Sequence, residues 1–157
     1  MLIALALALQ AVRLVLPLPQ PVSTFVIGSL VHMMLVLTWK LSGLGTALLL
    51  ALLLPLTAYL QGQVLLPLLI PVIWAGNVLF VVLLQLFSAN RRLALFLPPL
   101  AKTVLMGVAA WCVVNIVALP NPALRKTIMF GMSVPQLVTA FIGIWLARQV
   151  FLRIRKF

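Results

Sequence analysis

A few polar side chains interrupt an almost wholly apolar chain, and their types suit holding a ligand better than breaking a bond. Arg13, His32, Trp74, Asn77, Asn115, Arg125 and Gln136 are the residues around which a site could be built. A guanidinium such as that of Arg13 forks onto a carboxylate or phosphate, and the sequence contains no Asp or Glu to pair with it from within. Near a span end the same side chain can instead snorkel to the interface. Arg125 and Lys126 would join Arg13 in an anion-attracting mouth. Trp74 and Asn77 are spaced i, i+3, which makes them neighbours on a helix surface. An aromatic wall with an orienting amide is a common lining for a small-molecule site, while a helix-to-helix hydrogen bond from Asn77 is the plainer alternative. Trp111 and Asn115 repeat the pattern at i, i+4, and Gln136 follows Pro135. His32 lies about ten residues into an apolar run, near mid-depth at about 1.5 Å per residue. It is either a packed core histidine or a ligand contact.

What is missing narrows the chemistry further. No Gly-rich loop ending in Lys-Ser or Lys-Thr is present, so the chain has no P-loop for ATP. The lack of carboxylates removes the usual relay for proton or sodium coupling and the oxygen ligands of hard cations. Cys112 is the single cysteine, which excludes an internal disulfide or a cysteine metal cluster, and neither it nor the serines have a base that would activate them. A lipid-modifying enzyme is therefore disfavoured, and neither catalysis nor a cofactor is expected.

The elements that must position these residues are membrane helices. Of 157 residues, 66% are hydrophobic and 7% charged, against about 25% charged in a soluble domain, and the mean hydropathy is +1.33. Breaks at Pro, Gly, Asn and basic residues divide the chain into six spans, at 2–16, 22–39, 45–60, 67–87, 93–118 and 127–152. An all-α integral membrane protein follows: one bundle of six transmembrane helices over 1–157, with no soluble domain. Residues 1–16 read as a retained helix, because no basic residue precedes Arg13 as a signal peptide would require.

Charge sets the orientation. With both termini inside, Lys40, Arg91, Arg92, nearby Lys102, Arg148, Arg153, Arg155 and Lys156 gather on the cytoplasmic face, and only Arg13, Arg125 and Lys126 remain outside. Anionic headgroups and this topology account for the basic face, so no nucleic-acid partner is needed. Most prolines gather at the opposite end, including those of Leu16-Pro17-Leu18-Pro19-Gln20-Pro21. Proline-rich backbone is stiff and resists becoming regular helix, and irregular backbone at membrane depth needs a protein cover or a wet cavity. This stretch is therefore expected to form a wall or lid of an outward-facing pocket.

Ala4 and Ala8 form a small-xxx-small ridge on the first helix. With "LPQPVSTFVIGSLVH" (Leu18 to His32) and "SVPQLVTAFIG" (Ser133 to Gly143), this ridge makes the chain resemble the substrate-binding S components of energy-coupling factor transporters. The resemblance implies a bacterial-type, multi-pass plasma-membrane protein that takes a vitamin or other micronutrient from outside. It also implies partners: a transmembrane coupling subunit met through Ala4 and Ala8, and two ATPase subunits. Gln20 would then bond the ligand or close the gate above it. The ligand signatures of the riboflavin, thiamine, biotin and folate members are not recognisable here. The leading expectation is a capture subunit whose small, anionic or partly apolar ligand is held by some of Arg13, Gln20, His32, Trp74, Asn77, Asn115, Arg125 and Gln136. The rival is a structural protein of a cell-envelope complex, in which those residues act as interhelical glue.

Overall fold

The computed structural model describes residues 1–15, 19–118 and 120–154, with the backbone alone for Gln20 and Pro21. The described chain is all helix: α1 (Leu2–Val15), α2 (Gln20–Ser42), α3 (Leu44–Leu60), α4 (Leu69–Leu86), α5 (Arg91–Ile116), α6 (Pro122–Gly131) and α7 (Val134–Ile154). Only Met132 and Ser133 separate α6 from α7, so these seven segments make a six-helix bundle whose last helix is broken. The expected span 127–152 thus begins earlier than its apolar run and is interrupted. Asn121 starts α6 by accepting, through its side-chain oxygen, the backbone N–H groups of Ala123 (2.9 Å) and Leu124 (3.3 Å).

Helix ends follow local chemistry elsewhere too. Asn90 caps α5 in the same way, accepting from the N–H groups of Arg92 and Leu93 at 3.2 Å. Gly43 alone joins α2 to α3, at φ +86°, a conformation that disfavours a side chain. The stretch expected as a rigid lid divides. Leu16, Pro17 and Leu18 lie outside the described residues, whereas Gln20 and Pro21 form the first turn of α2. Proline is tolerated there because the first-turn N–H groups have no helical partner in any case.

Among the described residues, four stretches are long and apolar enough to cross a membrane: Val22–Ser42, Leu69–Leu86, Arg91–Ile116 and Pro122–Ile154. The helices Leu2–Val15 and Leu44–Leu60, of 14 and 17 residues, are equally apolar but shorter than the roughly 20 residues a full crossing takes.

Packing closes a ring. α2 packs on α3, α3 on α4, α4 on α5, α5 on α7 and α7 back on α2, while α1 lies against α2 and α3. One end of this ring is solid, filled by Met34, Leu35, Leu50, Ala51, Phe80, Val81, Leu84, Ala140 and Ala147, all buried. The other end is roofed by a smaller cluster in which Val64 and Leu69 meet Ala110, Val114 and Ile128.

Candidate ligand-binding site

Between the solid end and the roof the ring encloses a partly open cavity of about 570 Å³. Its walls come from α1 to α7 and from the turn after α3. Gln10, Arg13, Ser23, His32, Asn77, Lys102, Gln136 and Thr139 are among its polar lining residues.

The inner end is a hydrogen-bonded trio from three helices. Lys102 of α5 reaches His32 Nε2 of α2 at 2.6 Å and Asn77 Oδ1 of α4 at 2.7 Å. His32 Nδ1 lies 2.7 Å from the carbonyl oxygen of Gly28, one turn earlier. A carbonyl can only accept, so Nδ1 carries the proton and Nε2 offers its lone pair to the lysine. Lys102 is 1% exposed, and His32 and Asn77 are each 3% exposed. Beneath them lies Phe80, whose ring meets the imidazole edge-on at 5.4 Å between centroids and sits 5.8 Å from Lys102 Nζ.

Close helix crossings hold the trio in place. A Cβ on Gly143 of α7 would collide with His32 Cβ and the backbone nitrogen of Met33, and one on Gly76 of α4 would fall 2.6 Å from Met106 Cγ and 3.5 Å from Lys102 Cγ. Glycine at both positions lets α2 and α7, and α4 and α5, approach closely enough for the side chains to meet.

Nearer the roof, Gln10 of α1 donates to the Leu54 carbonyl at 3.1 Å, and its Oε1 lies 3.1 Å from the Thr57 hydroxyl. Two donor atoms on residues that line this cavity, Arg13 Nε and Ser23 Oγ, are buried and have no hydrogen-bond partner among the described residues. Gln136 Nε2 donates to the Gly131 carbonyl at 3.3 Å, and Thr139 lies buried beside Gly28.

The cavity brings together Arg13, His32, Asn77 and Gln136 of the residues singled out from sequence. Trp74 is not among its walls and is 42% exposed. Neighbours at i, i+3 diverge by about 60° around the axis, and the edge of the buried face falls between Trp74 and Asn77. Asn115 and Arg125 form their own exposed pair outside the cavity, with Arg125 Nη2 donating to Asn115 Oδ1 at 2.6 Å. The side chain of Gln20 lies outside the described residues. Ala4 and Ala8 are exposed on α1, whereas Ala6 and Gln10 face inward.

Lys102, Gln10, Ser23 and Thr139 are among the polar cavity residues that sequence reasoning left out of the site. Lys102 was expected among the cytoplasmic charges, but it sits at the centre of the ring. It follows Arg91 by eleven residues, or about 16 Å of helix, so the depth argument applied to His32 would have found it. The chain matches no protein-family model, and no curated protein or solved structure shows significant similarity to it.

Proposed function

We propose that this protein is a membrane-embedded capture subunit that binds a small molecule in the cavity between its helices and hands it inward with the help of partner proteins. The observation that carries this reading is the cavity itself. At about 570 Å³ it falls within the roughly 300–1,000 Å³ usual for small-molecule sites, and it combines apolar walls with a few convergent polar groups. A purely structural envelope protein, with those groups acting as glue, would be expected to pack this end shut.

Three further features support the reading. Lys40, Arg91, Arg92, Arg148 and Arg153 lie at the helix ends remote from the cavity mouth, while Arg13, Arg125 and Lys126 lie at its own end. With basic residues retained inside, the termini are cytoplasmic and the cavity opens outward, as uptake across a bacterial-type plasma membrane needs. The exposed Ala4 and Ala8 offer α1 a ridge on which a helix of a transmembrane coupling subunit can lie close. The chain carries no P-loop, so the driving ATP hydrolysis belongs to partner ATPases, as in the energy-coupling factor transporters it resembles. A vitamin or similar micronutrient is the matching cargo.

The test is to purify the full chain in nanodiscs and identify small molecules that stay bound, using native mass spectrometry and then titration. A stoichiometric organic ligand is expected. An empty chain that instead copurifies with envelope proteins and no ATPase would overturn the reading in favour of the structural one.

A further inference from the structure

The inner end of the cavity presents a buried lysine with no anion beside it. An ammonium has three N–H groups, and among the described residues Lys102 Nζ has two polar partners, both neutral: His32 Nε2 and Asn77 Oδ1. The sequence contains no acidic side chain that could approach it. A buried ammonium without a counter-charge is costly, and the cost is relieved either by loss of its proton or by an opposite charge brought within reach. Lys102 is among the lining residues of the cavity, so a carboxylate that enters can meet it and hold it as the ammonium.

We infer that the cavity takes a small organic acid whose carboxylate seats on the third N–H of Lys102, with an apolar body along the walls and a hydrogen-bond acceptor at its far end. The inference rests on the capture reading and specifies the chemistry of its cargo. A carboxylate suits the site better than a phosphate, whose three strong acceptor oxygens and greater charge call for several donors. A cation would be repelled, and a neutral amide could accept the N–H but would leave the charge unbalanced. Ile27, Val31, Leu54 and Ile73 supply apolar wall. Arg13 and Ser23, lining residues whose Nε and Oγ are buried without a partner among the described residues, are the donors for the far end. Asn77 and His32 act as positioning residues: their acceptors use two N–H groups and aim the third.

The experiment exploits the fact that His32 is the single histidine. The full chain, labelled with ¹⁵N-histidine in nanodiscs, is titrated to millimolar levels with matched pairs: benzoate and benzamide, nicotinate and nicotinamide, hexanoate and hexanamide, and with phenyl phosphate. At least one carboxylate is expected to bind tenfold or more tightly than its amide and to shift the His32 Nε2 resonance, through the hydrogen bond to Lys102. Lys102→Met should abolish both effects. The wild-type comparison and the His32 shift stand without that variant should it fold poorly. Equal binding of acid and amide would overturn the carboxylate while leaving the capture reading intact, as would a neutral or cationic ligand found on the purified chain. Preferential binding of phenyl phosphate would replace the carboxylate with a phosphoryl group. No binding by any probe, with no ligand on the purified chain, would overturn both inferences.

Discussion

The two ends of the bundle are built differently. At the solid end, long helices meet over residues with almost no exposed surface, and glycine at the α2–α7 crossing lets their backbones close up. At the roofed end, Val64 of the turn-rich segment after α3 and Ile128 of α6 lie over the ring against Leu69 of α4 and Ala110 and Val114 of α5. The trio of Lys102, His32 and Asn77 lies where the solid packing stops, so a rigid base holds the polar groups and a lighter cover stands over them. A buried lysine placed in this way tells of a site organised before any ligand arrives, because it and its two partners are fixed by three different helices.

The largest way to disturb this contrast is to hollow the base. Phe80→Ala removes the ring beneath His32 and Lys102, and core truncations of this kind cost about 3–5 kcal/mol. Thermal unfolding in detergent should show a much lower midpoint, with ligand binding lost alongside. Gly143→Val comes next. The added side chain meets α2 at His32 and Met33, and overpacking costs about 1–3 kcal/mol. Gly131→Ala is its control in the roof: open space surrounds that position, and the unfolding midpoint should stay where it is or rise.

Arginine substitutions sharpen the same comparison at the level of binding. Arg13→Ala should weaken capture of the copurifying ligand by about 1–3 kcal/mol in a titration, the size of a lost charge-assisted hydrogen bond. Arg125→Ala should change affinity by less than about 0.5 kcal/mol, as expected of a surface replacement, since Arg125 is bonded to Asn115 outside the cavity. Equal losses in the two variants would move the site toward the exposed pair.

Length and hydropathy made the bundle legible in the sequence. Each helix falls near an apolar run, and the starts of α5 and α6 are marked by Asn90 and Asn121. The orientation of each helix was harder to read. Lipid and protein core are both apolar, so a helix that is apolar all round shows little contrast between its faces. Trp74 and Asn77 illustrate this, since nothing in the residues around them told which would look inward. Lys102 was hidden for a different reason: a rule that counts basic residues near span ends treats a lysine at mid-depth as one more surface charge. Gln10 stands alone in the apolar run of the first helix, and the cost of burying an amide was the available signal for its bonded role between α1 and α3.

The claim that one end of the ring is hollow and partly open can be read on a single helix. With Cys112 replaced by Ser, cysteines introduced separately as Gln136→Cys and Ala147→Cys place one thiol in the cavity wall and one in the solid core of α7. Their reaction with a small water-soluble thiosulfonate in nanodiscs would be followed by mass. The account predicts rapid modification at 136, slowed by the copurified ligand, and none at 147. A thiol at 136 as inert as that at 147 would contradict it.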